Sequence, residues 1–188
     1  MLRPRAKVQI FVRRCWQTPS LVRYSVIRSD DDDWKQRGAM AIPFLACMVA
    51  AASFYHLPPR VLPSIQVVEG GRPGIVSRNT DGSADLGVMQ VNTLWVPQFA
   101  TITGMTAEAV RTRLVVDPCF NIAAAGAIMR VYLNEAGGDL LRAVGYYHSH
   151  TPERASEYQA RVLGAATRLF VRPTSPAAPT TVTAADYP

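Results

Sequence analysis

"DPCFNIAAAGAIMRVYLNEAGG", residues 117–138, is the stretch that decides the fold. Asp117 is a strong helix-capping residue, and Pro118 stands at the first helical position, where its missing N–H is no loss. Phe120, Ala124, Ala127, Ile128 and Val131 recur at helical spacing and predict one apolar stripe. Gly137 and Gly138 stop the helix. The alanines and the glycine in its middle predict close packing against another helix. Helical signals continue on both sides. Thr106 caps 106–114 with an acid in the first turn, Asp139 caps 139–149, and Thr151, Pro152 and Glu153 open 151–170.

Upstream the pattern changes. In "VSRNTDGSADLGVMQVN", residues 76–92, Asn79, Asp81 and Gly82 signal a tight turn. A small hairpin or irregular flap is expected there, with "GVMQVN" following as a short helix or extended turn. Before it, "HLPPRVLP" connects to a helix from about Leu62 to Glu69, which Gly70 and Gly71 terminate. Residues 39–54 are apolar throughout but too short to span a bilayer comfortably. They read either as the apolar core of a signal peptide or as a buried first helix. The helix is preferred, because cleavage after this segment discards Cys47.

These elements describe an α+β, mainly α domain over 40–170 with a small β-hairpin or loop insertion. Residues 1–39 form a basic N-terminal extension with an aspartate run at 30–33, read as flexible or as part of an export signal. Residues 171–188, rich in Pro, Thr and Ala, read as a disordered tail.

The totals narrow the function. The chain has 188 residues, 48% hydrophobic, and a net charge of +6, which favours a polyanion or an envelope surface. Aromatic residues are not interleaved with the basic ones, and no finger, RNP or P-loop pattern occurs, which argues against nucleic acid. The three cysteines, Cys15, Cys47 and Cys119, form no CxxC pair and give no zinc signature. His148 and His150 lie two residues apart at a helix end and face differently, so no metal site and no cofactor is expected.

Most acids have a local structural role. Asp117, Asp139, Glu108 and Glu153 belong to helix starts; Glu135 and Glu157 read as solvent-facing. Asp81 suits its turn. Glu69 is different, with apolar residues before it and glycines after it. Burial there raises a carboxyl pKa and keeps the acid protonated near neutrality, which a general acid requires. On pattern alone, a lone glutamate at this place is more often a solvated helix end.

The neighbouring motifs weigh against that bland reading. "VVEGG" at 67–71, "DGSADLGVMQVN" at 81–92, "DPCFNIAAAGAIM" at 117–129 and "AVGYYHSHTPE" at 143–153 resemble the successive motifs of the soluble lytic transglycosylases of the goose-lysozyme-like superfamily. The likeness is greatest to the small members that accompany conjugation and secretion systems, and covers about residues 44–165. It implies a lysozyme-like fold and cleavage of the MurNAc–β-1,4–GlcNAc bond of peptidoglycan, with closure of a 1,6-anhydro ring. It implies Glu69 as the single acid, in contrast to glycosidases that pair two carboxylates. By position, Met89, Gln90 and Asn92 match the motif that lines the cleft, with Gln90 the candidate sugar contact. Ser77 takes the place of a small polar residue near the acid. Tyr147 matches a family tyrosine whose hydroxyl lies close enough to orient Glu69. For Met89 and Tyr147, a packed core side chain is the competing reading.

The sequence also departs from the pattern. Gly70 follows the acid where many members have serine, and "YHSH" replaces Tyr-Asn-Ala-Gly. In the resembling branch, cysteines placed like Cys47 and Cys119 pair, which implies a disulfide and a periplasmic or cell-envelope location; two free buried thiols are the alternative. The implied partners are peptidoglycan strands and a secretion or conjugation apparatus, with no stable membrane span. Two other functions compete. One is a hydrolytic muramidase in which Asp81 or Asp85 positions water. The other is a catalytically weak peptidoglycan-binding assembly factor.

Overall fold

The computed structural model describes residues 42–171. The basic extension at 1–39, Cys15 and the tail beyond Val171 lie outside the described residues.

Among the described residues, seven helices and three short strands follow in the order α1 (Leu45–Phe54), α2 (Val61–Glu69), β1 (Val76–Arg78), β2 (Ala84–Leu86), β3 (Val91–Asn92), α3 (Val96–Thr103), α4 (Ala107–Val116), α5 (Pro118–Glu135), α6 (Leu140–His148) and α7 (Pro152–Phe170). A 3₁₀ turn, Thr93–Trp95, links β3 to α3. The α+β, mainly α reading therefore holds, and within the apolar segment Leu45–Phe54 forms a helix packed against α5.

The caps that mark α5 in the sequence act as expected. The Asp117 side chain accepts from the Phe120 N–H at 3.0 Å, and Pro118 opens the helix. The predicted stripe is only partly correct. Phe120, Ala124 and Ile128 are buried, whereas Val131 is 47% exposed. The reason is α5's position. It is the central helix, packed by α1, α4 and α6, so Asn121, Ile122, Ala125 and Met129 are buried as well. Burial runs almost all round the first three turns, and the C-terminal turns emerge from the core. Gly126 answers the packing expectation. A Cβ there would lie 2.6 Å from the Tyr55 ring that closes α1.

Thr151 occupies the cap position of α7, but its side chain makes no cap bond. Its own N–H instead donates to Ser149 Oγ at 3.1 Å.

The strands form one antiparallel sheet ordered β1-β2-β3. "GVMQVN" is neither a helix nor only a turn. Residues 87–90 reverse the chain, and Val91–Asn92 add the third strand. Gly87 at φ +67° and Gln90 at φ +49° make the reversal possible. The register places Ser77 opposite Asp85 and Asp85 opposite Asn92. These three polar residues form a row on one face. Ala84, Leu86 and Val91 are buried on the other, joining the core.

Cys47 in α1 and Cys119 in α5 are joined by a disulfide, with Cα atoms 5.3 Å apart. Among the described residues, no single helix is long and apolar enough to cross a membrane.

Candidate active site

Glu69 is the last residue of α2. The next residue, Gly70, turns left-handed at φ 63°, and its N–H closes the helix on Gln66 O. Gly71 has a different function from the expected one. A Cβ there would sit 2.2 Å from Gly87 O and 2.7 Å from Val88 O. Gly71 thus lets the 87–90 turn press against the end of α2, and it clears space for backbone.

A cleft of about 630 Å³ opens above this junction, with Glu69, Gln90, Asn92, Trp95, Tyr147 and His148 in its lining. Burial raises the Glu69 pKa from 4.5 to about 7. A hydrogen bond from Tyr158 opposes the rise, Asp85 adds to it, and Arg161 opposes it. The carboxyl therefore keeps its proton up to about neutral pH, well past the ordinary carboxylate range.

The hydrogen bond to Glu69 comes from Tyr158 of α7, whose hydroxyl donates to Oε1. Burial and the adjacent Glu69 hold the Tyr158 hydroxyl far above its ordinary pKa, so it remains a donor. With Oε1 taken, the acidic proton belongs on Oε2. Tyr147, for which the family resemblance implied this contact, instead donates to Met89 O at 2.9 Å. It lines the cleft and braces the 87–90 turn. The two tyrosines are eleven residues apart on different helices, and only their packing decides which reaches the acid.

Met89 is 0% exposed; its side chain is in the core and does not line the cleft. The turn points it inward while its backbone does the work outside. Ser77 does not reach the acid either. Its hydroxyl donates to Gln90 Oε1 at 2.6 Å, while Gln90 Nε2 donates to Gly87 O at 2.8 Å. Both ends of the Gln90 amide are thus fixed, leaving one N–H and one lone pair for a ligand. Asn92 lines the cleft, donates to Asp85 Oδ1 at 2.8 Å and Ser83 Oγ at 3.1 Å, and accepts from the Leu94 N–H at 2.9 Å.

Asp85 is held from both sides, by Asn92 and by Asn79 Nδ2 at 3.0 Å. Asp81 accepts from the Ser83 N–H at 2.9 Å in an exposed turn, and that residue's hydrogen bonds lower its pKa. His148 stacks on Tyr158 with centroids 4.9 Å apart, and its pKa is lowered by burial and then by Arg161 and Arg154. His150 points elsewhere, stacking on Tyr146 and bonding Glu135 at 2.9 Å.

Sequence reasoning missed two residues. Tyr158 carried no local signal. Asn121 did carry one, as a lone amide within the apolar run of α5. It is fully buried, donates to Leu86 O and Leu114 O at 2.7 and 2.8 Å, and accepts from the Met89 N–H at 2.8 Å. It fixes the 87–90 turn to the helical core.

A mainly helical domain with a small antiparallel sheet and one proton-bearing glutamate in an open cleft is lysozyme-like. The chain belongs to the transglycosylase SLT domain family, which matches residues 46–162, more than half of the sequence. It is also similar to the invasion protein IagB of Salmonella typhimurium and of Salmonella typhi, each 28% identical over 120 residues. Those alignments cover 61% of this chain and 69% of IagB. The family is that of the lytic transglycosylases, whose substrate is the peptidoglycan of the periplasm or cell envelope.

Proposed function

We propose that the chain is a catalytically active lytic transglycosylase that cleaves the MurNAc–β-1,4–GlcNAc bond and releases a 1,6-anhydromuramyl end. The observation that carries this reading is Glu69, a cleft carboxyl whose pKa burial lifts to about 7. Glu69 Oε2 gives its proton to the glycosidic oxygen as the C1–O4 bond breaks. The substrate's 2-acetamido group supports the cationic C1. The resulting carboxylate then takes the proton of the muramyl 6-hydroxyl as the O6–C1 bond closes the ring. The proton count balances and no water is consumed, so one carboxyl of intermediate pKa serves both steps. Tyr158 stabilises the carboxylate between them. Gln90 offers its remaining N–H and lone pair to the sugar.

The disulfide between Cys47 and Cys119 supports action in an oxidising envelope compartment. That similar proteins serve in invasion fits local wall opening, which we place at a secretion or conjugation apparatus.

A second reading, hydrolysis, is favoured by one observation: Asp85 is a cleft carboxylate fixed by Asn79 and Asn92. It becomes the water-positioning group in that scheme. Mass spectrometry of digested sacculi separates the two. Anhydro-ended fragments are expected, and reducing ends favour hydrolysis. Glu69→Gln is expected to abolish release; unchanged turnover removes Glu69 from the mechanism. Tight binding without release by the wild-type chain points to an assembly factor.

A further inference from the structure

The first helix breaks the pattern expected of a surface helix. α1 is apolar all round and carries no charged residue, yet within it only Met48, Ala51 and Ala52 are buried. Leu45, Ala46, Val49, Ala50 and Ser53 are exposed, Leu45 at 43% and Val49 at 49%. A helix of this composition is ordinarily covered on every side. Leu45 and Val49 are one turn apart and share a face.

The apolar surface continues past the start of the helix. Phe44 is exposed. Just before it, Ile42 and Pro43 line a groove of about 160 Å³ with Val67 of α2 and Leu169 of α7, and Val67 is itself exposed. None of these residues lines the cleft that holds Glu69.

Charge on this side of the domain has one sign. Arg168 lines the same groove, and Arg60, which precedes α2, lies over the Phe170 ring at 5.3 Å. No carboxylate occurs in α1, in α2 before Glu69, in α5 before Glu135 or in α7 after Glu157. Residues 1–41 carry nine Lys and Arg against four Asp, and they join the domain at Ile42, in the groove. Exposed apolar side chains flanked by cations, with no acid among them, complement a surface that is apolar inside and anionic outside. A second copy of the chain would set these cations against one another, and a glycan strand would leave the apolar side chains uncovered.

We propose that the outer face of α1 and the adjoining groove dock the protein on an anionic phospholipid bilayer, with the apolar side chains at the headgroup level and the arginines on the lipid phosphates. α1 has ten residues, a length of about 15 Å, so it lies on the surface and does not cross it. The cleft shares no residue with this face, and docking leaves it open to glycan. The proposal goes beyond the bond-cleaving reaction and does not depend on it.

The test is sedimentation of the full chain with vesicles of phosphatidylethanolamine and phosphatidylglycerol, in a ratio of about three to one, against vesicles of phosphatidylcholine alone. Binding to the anionic vesicles is expected to be about tenfold tighter or more. Leu45→Gln with Val49→Gln changes only exposed positions and should weaken that binding about tenfold or more. Arg60→Gln with Arg168→Gln should narrow the preference for anionic vesicles, as should raised salt. Thermal unfolding at the wild-type temperature establishes that each variant is folded. Vesicle binding is read without turnover, so failure of the catalytic reading leaves this test intact. Absence of binding to the anionic vesicles overturns the proposal, and so does equal binding to phosphatidylcholine. Full binding by the Leu45→Gln, Val49→Gln chain also overturns it and leaves residues 1–41 as the whole attachment. A wild-type dimer that the same pair of changes makes monomeric, with no vesicle binding, assigns the face to a second copy instead.

Discussion

Tyr158→Phe isolates the hydrogen bond that holds the acid. The ring remains, including its stacking on His148, and only the hydroxyl that donates to Glu69 Oε1 is lost. That bond favours the carboxylate, so its loss must raise a Glu69 pKa already lifted to about 7. A hydrogen bond to a charged group contributes about 1.5–3 kcal/mol. At about 1.4 kcal/mol per pH unit, the alkaline limb of kcat/KM should move up by roughly one to two units. Water entering the space left by the hydroxyl favours the lower figure. The rate below pH 6 should fall as well, because the carboxylate formed in the first step loses its donor. The assay is release of anhydro-ended fragments across pH 5–10, with thermal unfolding measured beside it. A merely structural Tyr158 would lower the melting temperature and leave the limb in place. An unmoved limb, or one displaced to lower pH, refutes the assignment of Tyr158 as the group positioning Glu69.

Three further outcomes follow from the same geometry. Glu69 has a folded pKa of about 7 against an ordinary 4.5, so the wild type loses stability as pH rises between them, and the loss levels off above the folded value. Glu69→Gln should therefore be the more stable chain at pH 8, by up to about 3 kcal/mol, and no more stable at pH 4; urea unfolding at both pH values checks this. Asn121→Ala orphans two buried carbonyls and one buried N–H, and should cost about 3 kcal/mol or more in the same assay while lowering turnover, because the 87–90 turn loses its anchor. Reducing Cys47–Cys119, or replacing both with serine, reopens a loop whose ends are 72 residues apart and should lower stability by about 4 kcal/mol, read from the denaturant midpoint with and without reductant.

How much of this was legible depends on how local each signal is. The Asp117 cap, the Pro118 start and the Gly70 stop are settled within one helical turn, and the sequence places all three correctly. Glu69 was legible as an anomaly, a charge with no capping or turn role, and three downstream motifs made that anomaly a candidate site. Val131 misled because periodicity assumes that one face of a helix is buried. In α5, three neighbouring helices bury most of the circumference at one end and release the other. Met89 misled because a motif names a residue without saying whether its side chain or its backbone is used.

The tyrosines show where local reading stops. Tyr147 and Tyr158 are both aromatic donors on helices that face the cleft, and no pattern distinguishes them. What does is the position of the 87–90 turn. Gly71 and Gly87 admit backbone at 2.2 Å from where their Cβ atoms would lie, and Asn121 ties the turn to α4, α5 and β2. That packing brings Met89 O to the Tyr147 hydroxyl, and with Tyr147 occupied there, the donor to Glu69 is the residue that α7 supplies. The turn therefore assigns a donor to the acid through contacts it makes with neither Glu69 nor Tyr158. A change at Gly71 or Gly87 should accordingly disturb the pH profile as well as the fold, although neither glycine carries a side chain into the cleft.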